Sequence, residues 1–396
     1  MAKGSKKWWY LAGLVVCIIY IFIAPRHIPI ETVLRPRWIT SLESNYPEGI
    51  PSVGSEGTPD EPGRNMPVKL GDFSSTESGW FLPFTLGNRF GYLRDDGKFS
   101  VNQVRNGFVS ISENAWAEYE ALPASIQVMN PMKENVLLIE NPKGYPLFLD
   151  KRVFIVGNEQ NYITALDPEG KELWTYDYPA PITCVDASQG YLLAGTLDGT
   201  VVLLDSSGTP VFTPFEPGGS RLSVILGCAI SSDASRLAII SGIDKQRFLL
   251  LEHAGLEPRS SRTAGGVSGD TYRVVYHEFL TDGFRRPVRV SFADNDTKII
   301  FEREGGLGIY NISSRTSTNL SLEGELVALD NSGEDGFLFA ITSQGPEEKR
   351  FIAIRYPGLI VNEAHYRSGN AFFARRGRQL YLGGDTLLAS FELEKM

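Results

Sequence analysis

The sequence predicts an all-β protein: a β-propeller of about seven four-stranded blades, preceded by one N-terminal transmembrane helix and a Pro/Gly-rich linker. Three observations predict it. A unit of short apolar strands recurs about every 40 residues from residue 80 onward, which is the spacing of propeller blades. Asp-Gly and Asn-Gly pairs, as at Asp198-Gly199 and Asn106-Gly107, are typical of hairpin turns. An uncharged apolar run occupies residues 8–24.

The composition excludes several classes of protein. The chain has 396 residues, a net charge of −9 and three cysteines, with 40 Gly and 23 Pro. The acidic balance argues against a general nucleic-acid binder, which presents a basic surface. Three cysteines cannot form a disulfide scaffold, and none are spaced as in metal sites. The 22 Phe and 16 Tyr can line a large core, so most of the chain is expected to fold.

The N-terminal run is interpreted as a membrane anchor. Residues 1–7 contain three lysines and form the predicted cytoplasmic N-terminus, and residues 8–24 span about 25 Å as a helix. Trp8 and Trp9 stand where an interfacial aromatic belt is expected. A cleaved signal peptide is the alternative, although Phe22 is bulky for a cleavage site. A lipoprotein would need a small residue before Cys17, where Val16 stands.

The charges around the run favour an inside N-terminus with the long remainder exported. In a bacterium, the protein would then be a single-pass protein of the inner (cytoplasmic) membrane with its propeller in the periplasm. Residues 25–71 are predicted to be a juxtamembrane segment and flexible linker, because Asn45 to Gly71 is rich in Pro and Gly and poor in apolar residues. Residues 72–396 are predicted to form the propeller.

The repeat consists of an apolar strand, a polar turn, a second apolar strand, a short gap and a third apolar strand. The copies are Tyr145 to Asp177, Ile182 to Phe212, Leu226 to Glu252, Val288 to Asn311, Leu326 to Arg355 and Asn370 to Glu392. A weaker copy spans Trp80 to Ser112, with FVSIS as its last strand, which makes seven. Six or eight blades stay possible because residues 113–144 show no clear pattern.

The last copy ends soon after its third strand, so its outermost strand is missing. An open edge there would invite aggregation. A segment around Val68 to Phe73 is predicted to supply the strand and close the ring. A β-sandwich is the rival fold, but sandwiches seldom show repeats this regular.

One blade carries a family motif. Its residues are Ala165, Leu166, Asp167, Gly170, Lys171, Glu172, Leu173 and Trp174, and the next blade keeps Leu204, Asp205, Gly208 and Val211. These stretches resemble the repeat of the PQQ-like (quinoprotein-like) and WD40-like β-propellers, where it is mostly structural. Quinone-dependent members use neighbouring cysteines and a full ring of Trp-docking blades, so the resemblance implies no cofactor here. In organisation the chain resembles the propeller lipoprotein of the bacterial outer-membrane barrel-assembly machinery, without its lipidated cysteine.

Few residues suggest a catalytic, redox or metal-binding role. Cys184 and Cys228 occupy the same position in the first strands of successive blades and are interpreted as buried small side chains, with a redox pair as the alternative. Inner strands of adjacent blades diverge, so a disulfide between them is not expected. The four histidines lack ligand spacing, and no catalytic motif is found.

The interval between successive copies of the repeat is longer from Glu252 to Val288 than elsewhere. It holds candidate docking residues of the types enriched in interfaces: Arg259, Arg262, Tyr272, Arg273, Arg285 and Arg286. The alternative interpretation of this segment is a longer solvent-exposed hairpin whose charges serve solubility. A second basic spot lies in the turn of the last blade at Arg375, Arg376 and Arg378, and docking gains support if both emerge on one rim.

Two functions follow. The favoured one is a non-catalytic, membrane-tethered interaction scaffold that binds envelope or membrane proteins and no nucleic acid. The alternative is a propeller enzyme or small-molecule-binding protein whose site lies at the channel mouth. Oligomeric state and partner identity are not encoded in any pattern found.

Overall fold

The computed structural model describes residues 32–43, 80–254, 272–281 and 283–395. These residues form eight antiparallel sheets arranged as blades, and within the described part of the chain the regular elements are all strands. The first blade comprises β2(Phe81–Leu86), β3(Arg89–Arg94) and β4(Phe99–Val104), and the second comprises β5(Phe108–Ile111), β6(Trp116–Tyr119), β7(Ser125–Met129) and β8(Asn135–Glu140). The third comprises β9(Gly144–Leu149), β10(Arg152–Gly157), β11(Tyr162–Leu166) and β12(Glu172–Asp177), and the fourth comprises β13(Ile182–Ser188), β14(Tyr191–Thr196) and β15(Val201–Leu204).

The last four blades each contain four strands, and the eighth takes one of them from the start of the chain. The fifth blade comprises β16(Ile225–Ile230), β17(Arg236–Ser241), β18(Arg247–His253) and β19(Tyr272–Phe279), and the sixth comprises β20(Val290–Ala293), β21(Lys298–Arg303), β22(Gly306–Asn311) and β23(Thr316–Ser321). The seventh comprises β24(Glu325–Asp330), β25(Phe337–Ser343), β26(Glu348–Arg355) and β27(Leu359–Arg367), and the eighth comprises β28(Phe372–Arg376), β29(Gln379–Gly384), β30(Leu387–Lys395) and β1(Thr32–Ser41).

The all-β propeller is confirmed, but the prediction of seven blades is wrong, because there are eight. The segment FVSIS, assigned to the end of the first blade, forms β5, the first strand of a second blade that runs to Glu140. Its strands are short, and Pro123 and Pro131 interrupt the regions between them, so alternation is hard to see in the sequence.

The strand that closes the ring is β1. It pairs antiparallel with β30 from Thr32 opposite Lys395 to Ser41 opposite Leu387, with one irregularity between Pro36 and Trp38. A closing strand from the N-terminal side was predicted at Val68 to Phe73; Thr32–Ser41 fills this position, and Val68 to Phe73 lies outside the described residues. Thr32–Ser41 falls inside the interval assigned to the linker, so the propeller includes residues that precede 72.

The core lies between successive blades. Each sheet is covered on both faces by its neighbours, so second and third strands such as β14 and β15 are continuously apolar and buried. Outer strands such as β23 are polar and largely exposed. Phe248 of the fifth blade stacks on Phe301 of the sixth with ring centroids 4.5 Å apart.

The ring has two faces. We call the one that carries the turns between the first and second strands of the second to eighth blades the turn face, and the opposite one the cleft face. On the turn face, neighbouring and near-neighbouring blades are joined close to the channel by these contacts: Gly190 N to Asp150 Oδ2 (2.8 Å), Ser188 Oγ to Ser232 O (3.0 Å), Ser232 N to Asp296 Oδ2 (2.7 Å), Asn331 Nδ2 to Phe292 O (2.8 Å), Arg375 N to Asp330 Oδ2 (3.1 Å) and Arg376 Nη2 to Glu113 Oε1 (2.8 Å). Polar side chains therefore fix the inner radius.

The first blade differs from the others. Arg376, at the end of β28, approaches the carbonyl of Phe81 at the start of β2, whereas Asn370, before β28, lies beside Gly87, after β2. The strand β2 therefore runs antiparallel to β28. In addition, the ion pair between Arg376 and Glu113 links the eighth blade directly to the second.

The predicted membrane anchor at residues 8–24 lies outside the described residues. Among the residues that are described, no helix is long and apolar enough to cross a bilayer.

Candidate functional site

The candidate site is a polar cleft on the cleft face of the sixth, seventh and eighth blades. It consists of two cavities, of about 290 and 710 Å³, which share Glu325 in their walls. The smaller lies between the loops at Phe284 to Arg286 and Gly305 to Gly306. The larger reaches Thr85 and Asn370 near the first blade. Loops from four blades therefore converge on one concave surface.

Arg286 forms one wall of the cleft. Its guanidinium donates to Glu302 through Nη2 to Oε1 at 2.7 Å and Nη1 to Oε2 at 3.3 Å, a two-pronged pair. It also lies over the ring of Phe284, 4.4 Å from the centroid. Glu302 is only 2% exposed, and Arg289 N also donates to it at 3.2 Å. The hydrogen bond that Arg286 donates to Glu302 raises the pKa of Arg286, so this guanidinium stays charged and fixed.

Glu325 is the exposed acidic group of the cleft. Its carboxylate lies 3.5 Å from Arg286 Nη2, while its side chain is 72% exposed. A pair this open to water contributes little to stability. Glu325 therefore remains available to a ligand that approaches either cavity.

Lys349 supplies a positive charge to the larger cavity. The residue is 5% exposed, and its ammonium donates to Pro346 O at 2.8 Å, Ser343 Oγ at 3.1 Å and Gly345 O at 3.5 Å. These acceptors are neutral oxygens, which solvate the ammonium without cancelling its charge. The wall of the larger cavity therefore contains one negative and one positive group, Glu325 and Lys349.

The four predicted docking residues that the structure describes do not form one surface. Arg259 and Arg262 lie outside the described residues. Tyr272 begins β19, where its hydroxyl donates to Ala234 O in a turn of the turn face and its ring packs on Phe212 and His253. Arg273 follows it in the same strand, whereas Arg285 and Arg286 lie beyond the other end of β19. Arg285 is exposed, and only Arg286 lines the cleft. Along an eight-residue strand these two ends lie about 23 Å apart. The docking role stays a prediction.

The second basic spot lies on the opposite face from Arg286, where Arg375 is buried, Arg376 is partly exposed and Arg378 is exposed. Arg375 Nη2 pairs with Asp335 Oδ2 at 2.6 Å, and Arg376 Nη2 pairs with Glu113 Oε1 at 2.8 Å. Arg378 Nε donates to Leu393 O at 2.9 Å. These arginines join strands and blades, so the condition of a shared rim is not met.

Glu325, Lys349, Thr85 and Asn370 were missed by the sequence analysis. They come from three blades and lie far apart in the chain, so no linear motif connects them. The available signal was the glycines that open the loops before or beside the innermost strands, namely Gly87, Gly324, Gly345 and Gly369. Within the described ranges, no group of three or more His, Cys, Asp or Glu side chains could hold a metal ion.

Comparison with known proteins identifies the family. All of residues 1–396 match a family described as β-propeller protein, so the chain belongs to that family of β-propellers. An uncharacterized protein of Treponema pallidum (strain Nichols) is 23% identical over 391 residues, which cover 99% of this chain and 95% of that protein.

Two solved structures are similar in fold. BamB from Moraxella catarrhalis superposes with a TM-score of 0.53 at 14% identity, covering 80% of this chain and 99% of BamB. The dihydro-heme d1 dehydrogenase NirN, in complex with DHE, gives a TM-score of 0.49 at 13% identity over 68% of this chain and 58% of NirN. At this identity the similarity to BamB shows a shared fold and nothing more specific.

Proposed function

We propose that this propeller is a non-catalytic scaffold of the bacterial cell envelope that binds partner proteins in the polar cleft around Glu325. The observation that carries the proposal is the convergence of loops from four blades on one open cleft with a fixed guanidinium, an exposed carboxylate and a buried ammonium. Such a surface offers a partner directional polar contacts at its centre.

The state of the charged groups favours binding over acid–base catalysis. Both oxygens of Glu302 are engaged by Arg286, and its carboxylate also accepts from Arg289 N. A carboxylate held in this way stabilises a charge rather than transferring a proton, since a general acid or base must exchange its proton readily. The fold similarity to BamB supports the scaffold by analogy alone.

The proposed location of the protein in the cell is inferred from the sequence. Residues 1–7 would lie in the cytoplasm, residues 8–24 would span the inner membrane, and the propeller would face the periplasm. Partners are then envelope or membrane proteins. Two reporters fused after Met396 test this topology, one that is active only outside the cytoplasm and one that is active only inside it. We expect the first to be active. Activity of the second reporter without activity of the first would contradict the topology.

The test of the cleft is site-specific photo-crosslinking in the organism's own cells. A photoreactive residue replaces Gln344, which is exposed at the larger cavity, and a matched control replaces Ser332, which is exposed on the turn face. We expect a discrete crosslinked envelope protein from position 344 and none from position 332. Equal products from both positions, or none from 344, would reject the cleft as the docking surface.

The alternative function is binding of a small molecule at the channel mouth. The 710 Å³ of the larger cavity favours it, because this is the size of many small-molecule sites. Native mass spectrometry of the purified chain distinguishes the two, because a retained small ligand adds mass that Lys349→Met removes while Arg378→Met does not.

A further inference from the structure

Two innermost strands, β13 and β16, lie side by side in matching register. Ile230 N donates to Asp186 Oδ2 at 2.9 Å, and Ser188 Oγ donates to Ser232 O at 3.0 Å, so in this part of the two strands the facing residues are 44 positions apart. The same offset places Cys184 beside Cys228. Both contacts lie on one side of the cysteines, and on the other side Thr183 Oγ1 donates to Ile225 O, so hydrogen bonds join the two strands on either side of the pair.

Both thiols lie against β14. A Cβ at Gly195 would lie 2.8 Å from Cys184 Sγ, and Cys228 Sγ lies 3.8 Å from the carbonyl of Leu193. Cys228 belongs to a buried cluster against which Cys184 packs. The hydrogen bond with the Cys184 thiol, together with burial, raises the pKa of Cys228. The two sulfur atoms are therefore neighbours, and both are free thiols.

The two cysteines differ in access to solvent. Cys228 is 7% exposed, whereas Cys184 is half-buried and lines a cavity of about 530 Å³ together with Tyr145, Pro181 and Thr183. A reagent in this cavity reaches Cys184 first. The arrangement is that of an accessible attacking thiol backed by a buried resolving one.

We propose that Cys184 and Cys228 form an inter-blade disulfide by exchange with a disulfide oxidant that enters the cavity at Cys184. The Cys184 thiolate attacks one sulfur of the oxidant, which forms a mixed disulfide and releases one thiolate. Cys228 loses its proton to water, and its thiolate attacks the Cys184 sulfur and expels the second thiolate. Two protein thiols are oxidised to one disulfide, and the oxidant is reduced to two thiols.

The bond would link the fourth and fifth blades at the channel wall. A crosslink there constrains the unfolded chain across the 44 positions between the two cysteines, so the oxidised protein should unfold at a higher urea concentration than the reduced protein. It adds a covalent connection to the polar contacts of Asp186 and Ser188. The proposal does not depend on the scaffold function.

The test uses the full chain with Cys17→Ser, which leaves only Cys184 and Cys228. The folded protein is incubated with oxidised glutathione, and intact mass, free thiols after denaturation and disulfide-linked peptides are measured. We expect the loss of two hydrogen atoms, no titratable thiol and one peptide that joins Cys184 to Cys228. Cys228→Ser should instead keep a stable glutathione adduct on Cys184, and Cys184→Ser should leave Cys228 unmodified.

Two results overturn the proposal. The first is a lasting glutathione adduct on Cys184 while Cys228 stays free in the protein that contains both. The second is two unreacted thiols in the folded protein under conditions in which the urea-denatured protein is oxidised. Either would show that the sulfur atoms cannot reach bonding geometry within the folded ring.

Discussion

The carboxylate of Asp186 accepts the backbone N–H of Ile230 at 2.9 Å, which joins the innermost strand of the fourth blade to that of the fifth. The same carboxylate accepts Ala187 N at 2.9 Å. Asp330 repeats the contact between the seventh and eighth blades, where it accepts Arg375 N at 3.1 Å. Burial raises the pKa of both carboxyls above the usual range despite these hydrogen bonds.

Asp186→Ala should destabilise the propeller by about 1–3 kcal/mol, because it leaves Ile230 N buried without an acceptor. The folded-state pKa of Asp186 is raised, so its contribution to stability is largest below the unfolded value near 3.8 and declines as the pH rises through the folded value. The penalty of the substitution should therefore be larger at pH 4 than at pH 7. Urea unfolding at both pH values measures it, and an equal penalty would contradict the assignment.

Gly208→Ala should cost about 2–4 kcal/mol. Gly208 has a φ of +79°, and a Cβ there would lie 2.6 Å from the ring of Trp174 in the preceding blade, so backbone strain and overpacking add. Gly336→Ala is the matched control, since Gly336 has a φ of +83° and open space around its Cβ position, and it should cost about 1 kcal/mol. Thermal unfolding compares them, and equal losses would remove Trp174 from the explanation.

Loss of the closing strand should expose the edge of β30. A chain that starts at residue 44 lacks β1 and the packing of Trp38 on Tyr381, whose ring centroids lie 6.1 Å apart, whereas a chain that starts at residue 32 keeps both. We expect the shorter chain to aggregate and to unfold at a lower temperature, because an unpaired edge pairs with other chains. Light scattering and thermal unfolding test this, and indistinguishable behaviour would argue against closure by β1.

Asp233 should support folding only above strongly acidic pH. Burial would raise its pKa, but hydrogen bonds from Ser235 and Ser231 outweigh burial and lower the pKa to about 2. Its stabilising contribution is therefore complete above the unfolded value near 3.8 and is lost as the pH falls through about 2. Asp233→Asn should flatten the dependence of melting temperature on pH between these values. A slope identical to that of the unchanged protein would refute this role.

The sequence predicts blades where the local signals are complete. The blade from Tyr145 to Asp177 was recognised because its turns, alternation and Trp174 all lie within one stretch of chain. The Trp174 indole indeed reaches the next blade, donating to Ser206 O at 3.0 Å. The blade from Phe108 to Glu140 was missed because its strands are short and its first strand was credited to the preceding blade.

Other features depend on residues far apart in the chain. Arg35 and Arg37 follow the predicted membrane span in the sequence, and their side chains pair with Glu394 and Glu392 at the other end of the sequence. Arg286 was chosen for its residue type, whereas its bond to Glu302 and its place beside Glu325 depend on how blades pack. No local pattern specifies such contacts.

The position of β1 limits how far the propeller can stand from the proposed membrane span. Residues 25–31 alone separate the span at 8–24 from Thr32, and a fully extended segment of that length reaches about 25 Å. Thr32 lies at the turn-face end of the eighth blade, because Ser41 ends beside the Asp385 turn, which bonds to Gly369 at the cleft. The turn face would thus lie against the bilayer, and the cleft would open towards the periplasm, where a partner must approach it from the side away from the membrane.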